Sequence, residues 1–138
     1  MDYNKVRLEA AREYFNRIKK EMNGGCIEGY IFGSVARGEA KQSSDLDIIL
    51  VLQRPTNEER YVWNTTKELE KRNYSYNFAR NSHKIFQIQD ELEKKYSFPI
   101  SIYTHYNDAG PDYLVPLHDK AFIPFKNVIA NSIQLGCG

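Results

Sequence analysis

The chain has 138 residues, of which 41% are hydrophobic and 27% are charged, and its formal net charge at pH 7 is +1. This size and composition predict one soluble globular domain over residues 1–138. The nearly balanced charge argues against strong electrostatic binding to nucleic acid, and the apolar runs are too short to cross a membrane. The first residues lack the apolar core of a signal peptide, so we expect a cytoplasmic protein.

The predicted elements alternate between helices and strands. Apolar residues at helical spacing predict an amphipathic helix over 3–22, and two apolar runs predict strands at 26–32 and 46–52. Further elements are expected at 34–38 (a short helix), 56–72 and 82–96 (helices), 98–104 (a strand) and 126–134 (a weak helix). This order predicts an α/β fold, a small mixed β-sheet of three to five strands flanked by helices.

The segment between the first two strands carries the candidate site. Gly33 and Ser34 follow the first strand. A glycine permits a sharp turn, a serine is a suitable N-cap for a short helix, and the backbone N–H groups of such a turn attract phosphate oxygens. Asp45 and Asp47 precede the second apolar run, and their i, i+2 spacing places both carboxylates on one side of the strand. Because Mg2+ prefers carboxylates together with substrate phosphates, the pattern predicts a site for a nucleoside triphosphate and its metal.

The run Gly33-Ser34, ten further residues and Asp45-Leu46-Asp47 resembles the signature of the DNA polymerase β-like nucleotidyltransferase superfamily. The resemblance is strongest to its minimal nucleotidyltransferase (MNT) branch. It implies that the chain transfers a nucleoside monophosphate, in the expected case AMP from ATP, to a hydroxyl acceptor. It also implies that the two aspartates are catalytic and hold one or two Mg2+ ions, and that the Gly-Ser turn contacts the triphosphate.

Two further positions fit the MNT branch. The resemblance implies that Arg37 and Ser44 are nucleotide-binding residues. For Arg37 the residues leave an equal alternative, a helix-capping role or a surface ion pair with Glu39.

One position departs from the resemblance. The family usually has a third carboxylate on the next core strand, where this chain has Ser101. A serine hydroxyl is a poor metal ligand and a poor general base without an activating partner. Asp90, Glu91 and Glu93 would reach the site only if their helix folds over it. Two alternatives therefore stay open, an active nucleotidyltransferase and a nucleotide-binding antitoxin that masks a partner without performing chemistry.

No second domain for the acceptor is expected in this sequence. The resemblance therefore implies that a partner protein or a second copy of the chain presents the acceptor hydroxyl. In the MNT branch the partner is often a small helical HEPN domain, the toxin of a toxin–antitoxin pair. An antibiotic nucleotidyltransferase is less favoured, because enzymes of that kind usually carry an additional helical domain.

Overall fold

The computed structural model describes residues 2–22, 26–52, 77–117 and 122–135. In chain order these residues form α1 (Tyr3–Met22), β1 (Cys26–Phe32), α2 (Gly33–Ala36), β2 (Leu46–Leu52), α3 (Asn77–Tyr96), β3 (Ile100–Tyr106), β4 (Leu114–Pro116), β5 (Phe122–Pro124), α4 (Phe125–Val128) and β6 (Ile133–Leu135). The predicted helix at 56–72 lies outside the described residues. Neither of the two long helices has an apolar stretch that could cross a bilayer.

The main sheet is mixed and has the strand order β3-β2-β1-β6. β1 is antiparallel to both of its neighbours, β2 and β6, whereas β2 and β3 are parallel. A separate two-stranded hairpin is formed by β4 and β5. The arrangement confirms the predicted α/β fold with a small mixed sheet and flanking helices.

The alternation of side chains along β2 divides the domain into layers. Leu46, Ile48 and Leu50 belong to the main core, which α1 and α3 cover. Ile49 points to the other face, where it packs with Val115 from the hairpin and Val128 from α4. Asp47 has the same parity as Ile49, so the predicted site lies on the face that the C-terminal segment covers.

The two long helices contact each other on the opposite face of the sheet. The buried Tyr14 hydroxyl of α1 donates a hydrogen bond of 3.0 Å to the backbone carbonyl of Ile85 in α3, and burial raises the pKa of Tyr14. Nearer the surface, the Glu13 carboxylate accepts hydrogen bonds from Lys95 at 2.7 Å and from Tyr96 at 2.8 Å. These bonds hold the pKa of Glu13 below its ordinary value.

Three predicted element boundaries are wrong. The short helix begins at Gly33, with Phe32 at the N-cap position, so the predicted N-cap role of Ser34 is wrong. β3 begins two residues later than predicted because Ser97 takes a positive φ of 61° and Pro99 has no N–H to donate. The helix that contains residue 82 starts earlier, at Asn77, in a stretch with little apolar periodicity.

The prediction of a weak helix over 126–134 is also wrong. α4 has only four residues, and the chain then turns into β6, which pairs with β1 through Gly29, Tyr30 and Ile31. Ser132 closes the turn between them by donating its hydroxyl to the carbonyl of Ile129 at 2.7 Å. The pairing with β1 satisfies backbone groups that a solvent-exposed short helix would leave to water.

Candidate functional site

The two halves of the sequence motif meet because β1 and β2 are antiparallel neighbours. Phe32, the last residue of β1, lies opposite Asp47 near the start of β2. Asp45 is exposed and Asp47 is half-buried, whereas Leu46 between them is 0% exposed. The alternation therefore places both carboxylates on the face opposite to Leu46, beside the turn that follows β1.

Gly33 allows this close approach in two ways. Its φ of +74° lies in the left-handed region, which a side chain disfavours. A Cβ at this position would also lie 2.5 Å from Oδ2 of Asp47. The sharp turn that the sequence predicts already requires the positive φ. The short distance to Asp47 is visible only in the structure. The glycine therefore leaves the Asp47 carboxylate accessible from the turn.

Ser101 joins the two carboxylates from the third strand. The parallel register pairs Ser101 with Asp47, and its Oγ lies 3.5 Å from Oδ2 of Asp45, toward which it donates a long hydrogen bond. The serine is 6% exposed. It therefore occupies the place on β3 from which a third carboxylate would face the same site, and it contributes a neutral donor there.

The acidic residues of α3 do not join this site. Glu93 accepts a hydrogen bond of 2.8 Å from the first N–H of β3. Glu91 pairs with Arg17 of α1, and Asp90 pairs with a lysine of its own helix. Because α3 packs on the other face of the sheet, none of these carboxylates takes the place of the third carboxylate that the resemblance leads us to expect at position 101.

Two predicted nucleotide-binding residues of the loop before β2 make contacts within the chain. Nε of Arg37 lies 3.0 Å from Oε2 of Glu39, and both side chains are more than half exposed, so the expected surface ion pair is present. An exposed pair of this kind is worth less than about 1 kcal/mol, so Arg37 can exchange its partner for a phosphate at little cost. Ser44 accepts the N–H of Lys41 on its hydroxyl at 2.8 Å. A nucleotide contact by Arg37 or Ser44 stays a prediction.

Two polar residues of α1 that the sequence pattern did not reveal contact the same loop. Asn4 donates its amide N–H to the carbonyl of Val35 at 3.0 Å and accepts the N–H of Ala40 at 2.9 Å. Arg7 is 3% exposed and donates to two backbone carbonyl groups just before Asp45. In the sequence, the one sign of this contact is that Arg7 lies on the apolar face of an amphipathic helix. A charged residue in that position needs buried hydrogen-bond partners.

A cavity of about 450 Å³ lies between the C-terminal segment on one side and the Gly33 turn, the two aspartates and Ser101 on the other. One wall, which we call the sheet wall, is formed by Phe32, Gly33, Arg37, Asp45, Asp47, Ser101 and Tyr103. The other, the C-terminal wall, is formed by Leu117, Ile123, Asn127, Val128 and Asn131. Ser34 and Ser44 are not among the described residues that line it. The cavity thus has a charged side and a side with apolar and amide groups.

The donor set suits a magnesium ion that binds together with a phosphate ligand. Within the described residues, no group of three or more histidine, cysteine, aspartate or glutamate side chains is arranged to hold a metal. Mg2+ commonly takes only one or two carboxylates and completes its shell with substrate phosphates and water. Asp45 and Asp47 meet that requirement, and the adjoining cavity has room for the other ligands.

Comparison with known families agrees with this geometry. A family model described as a nucleotidyltransferase domain matches residues 12–108, which is more than half of the chain. The match contains β1, α2, β2 and β3, and therefore every strand of the sheet wall. The C-terminal wall and the first residues of α1 lie outside it. No curated protein and no solved structure matches the chain significantly.

Proposed function

The chain belongs to the nucleotidyltransferase domain family, and we propose that it is an Mg2+-dependent enzyme that transfers AMP from ATP to a hydroxyl group. Membership supports nucleotidyl transfer in general, and the finer assignments rest on the site. The observation that carries them is the contact between the turn and the strand. Gly33 has no side chain, so the Asp47 carboxylate meets the turn directly, with Asp45 and Ser101 beside it.

We assign the triphosphate to the sheet wall. Its phosphates lie against the turn at Gly33, within reach of Arg37, and Asp45 and Asp47 hold the metal. Bound Mg2+ supplies charge neutralisation at the phosphates and a template for in-line displacement. The acceptor oxygen forms a bond to the α-phosphorus, the bond from that phosphorus to the bridging oxygen breaks, and pyrophosphate leaves. Because Ser101 is a poor base, the hydroxyl proton passes to solvent.

We assign the nucleoside to the C-terminal wall. Asn127 and Asn131 line this side of the cavity, and Leu117 and Ile123 supply apolar surface beside them. A side-chain amide can donate to one position and accept from the next, and asparagine forms such a bidentate pair with N6 and N7 of adenine. The amide groups therefore support ATP as the preferred donor.

The acceptor is proposed to reside on another protein chain. Three large apolar side chains of the hairpin region are strongly exposed, Tyr113 at 57%, Leu114 at 49% and Phe122 at 65%. Leu114 and Phe122 lie on the two paired strands of the hairpin, and Tyr113 directly precedes the first of them. Exposed apolar groups on one such element are typical of surfaces that a second chain covers. With the motif's resemblance to the MNT branch, this supports a helical HEPN-type toxin as the partner and a toxin hydroxyl as the acceptor.

A second candidate function is favoured by Ser101. Because that residue replaces a carboxylate with a hydroxyl, the protein would bind nucleotide and neutralise its partner by covering it, without transfer. The two functions differ in what the Asp45→Asn substitution does to neutralisation of a co-expressed partner. Neutralisation that is lost with Asp45→Asn supports the enzyme, whereas neutralisation that survives supports the binding module.

The direct test of the proposed site is calorimetric titration with ATP, GTP, CTP and UTP, each with and without Mg2+. The wild-type protein should bind ATP in a metal-dependent way, and the doubly substituted protein, Asp45→Asn with Asp47→Asn, should lose that dependence. Asp90→Asn is the matched control, because it removes an exposed carboxylate on the other side of the sheet. Unchanged metal-dependent binding in the double variant would overturn the assignment.

A further inference from the structure

We infer that Asn4 and Arg7 are positioning residues, which together fix the turn after β1 relative to the carboxylates that begin β2. We call this pair the α1 clamp. The inference rests on the proposed function, because it assigns the clamp a purpose in metal-dependent nucleotide binding. The clamp residues lie before residue 12, where the match to the nucleotidyltransferase domain begins.

The loop that the clamp holds has little regular structure of its own. Between α2 and β2, from Arg37 to Asp45, the chain has two turns and otherwise no regular secondary structure. Its backbone N–H groups donate four local bonds to backbone carbonyls. Those of Arg37, Gly38 and Glu39 reach back to the carbonyls of Gly33, Val35 and Ser34 at 3.2, 3.1 and 2.8 Å, and that of Ser44 reaches the carbonyl of Lys41 at 3.0 Å. Such bonds shape two turns but leave the distance between the ends of the loop to other contacts.

Asn4 bridges the first half of the loop. Its amide donates to the carbonyl of Val35 in α2 and accepts from the N–H of Ala40, at 3.0 and 2.9 Å. Between these two partners the chain turns at Gly38, which has a φ of +73°. The side chain of Asn4 therefore connects α2 to the loop across the bend at Gly38.

Arg7 holds the second half of the loop. Its guanidinium donates to the carbonyls of Gln42 at 3.1 Å and Ser44 at 3.0 Å, and to Tyr3 of its own helix at 3.2 Å. The same group lies over the ring of Phe98, 4.3 Å from the centroid. Burial lowers the pKa of Arg7, and the nearby Asp45 carboxylate opposes that shift. Two of the bonded carbonyls belong to Gln42 and Ser44, which lie in the last turn of the chain before Asp45.

The geometry of Arg7 distinguishes a positioning role from a purely electrostatic one. Three donors in a plane reach three carbonyl groups, and the planar face stacks on an aromatic ring. A lysine would keep the positive charge but would lose the fork and the stacking. Arg7→Lys is therefore a charge-conserving variant that removes only the geometric part of the contact.

The test compares Asn4→Ala and Arg7→Lys with matched controls on the exposed face of the same helix, Asn16→Ala and Arg12→Lys. Hydrogen exchange of the ligand-free proteins is measured first, at a temperature where circular dichroism shows each variant folded. Both clamp variants should accelerate exchange at residues 38–46 and leave β3 unchanged, and the controls should match the wild type. Unaltered exchange in this loop would overturn the inference.

The second readout is nucleotide affinity with and without Mg2+, measured by calorimetry on the same proteins. The clamp variants should lose about 10- to 100-fold in metal-dependent affinity, the range found for groups that orient metal ligands. Their metal-free affinity should stay close to that of the wild type, a separation that general destabilisation would not give. Equal losses under both conditions would contradict positioning of the carboxylates. If the wild-type protein binds no nucleotide, the proposed function fails, and loop exchange alone decides whether the clamp exists.

Discussion

The two walls of the cavity are built from different kinds of structure. The sheet wall takes Phe32, Asp47, Ser101 and Tyr103 from three seven-residue strands of the main sheet, and its other residues from the turn and loop between β1 and β2. The secondary structure of the C-terminal wall consists of elements of three or four residues. Residues at strand ends of a packed sheet are held precisely enough for chemistry. Short elements and loops can vary without loss of the core. The difference fits the proposal that the phosphates bind to the first wall and the nucleoside to the second.

The two walls are also unequally anchored. Ile49 of β2 is 0% exposed, and the C-terminal wall meets it through Val115 and Val128, which are 2% and 8% exposed. In the same segment Phe122 is 65% exposed. The C-terminal wall therefore depends on a small apolar cluster, and substitutions within it should change binding more readily than they change the fold.

The largest effect should come from the place where the turn touches the strand. Gly33→Ala introduces strain at positive φ and a Cβ 2.5 Å from Oδ2 of Asp47, so we expect a loss of about 2–4 kcal/mol in the free energy of unfolding. Gly110→Ala is the matched control, since its φ is +87° and a Cβ there would meet nothing within 4 Å. Urea unfolding should show a loss of only about 1–2 kcal/mol for the control. Equal losses in the two variants would contradict the close approach at the sheet wall.

A smaller effect should follow from restoring a third carboxylate. Ser101→Asp adds a negative charge next to Asp45 and Asp47, which should cost about 1 kcal/mol of stability without metal. Added Mg2+ should then raise the unfolding temperature more than it does in the wild type, because the ion gains a ligand. Ser101→Asn is the neutral control of similar shape. An equal response to Mg2+ in the two variants would place Ser101 away from the metal.

Substitutions in the C-terminal wall should change which nucleotide binds most tightly, and they should leave the Mg2+ dependence of binding unchanged. Replacing Asn127 and Asn131 with alanine should cost about 1 kcal/mol of ATP affinity, roughly a fivefold loss, because hydrogen bonds to the base are removed. GTP, CTP and UTP should be affected less, and the Mg2+ requirement should persist. Calorimetric titration of the double variant with all four nucleotides checks this. An equal loss of affinity for all four nucleotides would show that the two asparagines do not contact the base specifically.

The smallest effect concerns the helical layer that lies away from both walls. Glu13→Gln should lower stability at pH 7 by about 0.5 kcal/mol or less, because the bonds to Lys95 and Tyr96 are partly exposed. The pKa of Glu13 is held below its ordinary value, so this contribution is present above the unfolded-state pKa and is lost as pH falls through the folded-state pKa. Urea unfolding at pH 7 and at pH 3 should show the two proteins converging in acid. A difference that persists or grows in acid would contradict this assignment.

The sequence predicted that Gly33, Asp45 and Asp47 would lie together, and the structure places all three around one cavity, because their signals are local. The apolar run of β2, the i, i+2 spacing of Asp45 and Asp47, and the glycine at the turn each follow from a few neighbouring residues. Ser101 was singled out by the resemblance, which places a third carboxylate on the next core strand, and the register that pairs it with Asp47 appears only in the structure. The predicted helix at 56–72 stays a prediction, because it lies outside the described residues.

The other parts of the cavity could not be read from local patterns. The clamp joins Asn4 to Ala40 and Arg7 to Ser44 across 36 and 37 positions, and no periodicity predicts such a pair. The C-terminal wall is interrupted by Pro116 and Pro124, which left only short apolar clusters. The strand after this wall, β6, was predicted in part as a helix because a three-residue edge strand carries almost no pattern of its own.

The most direct test of the central claim is a crystal structure with Mn2+ in place of Mg2+ and a non-hydrolysable ATP analogue. Anomalous scattering locates the metal independently of the nucleotide. The account predicts a metal peak within coordination distance of the Asp45 and Asp47 carboxylates and triphosphate density against the turn at Gly33. A nucleotide bound with its phosphates elsewhere, or a metal that contacts neither aspartate, would contradict it.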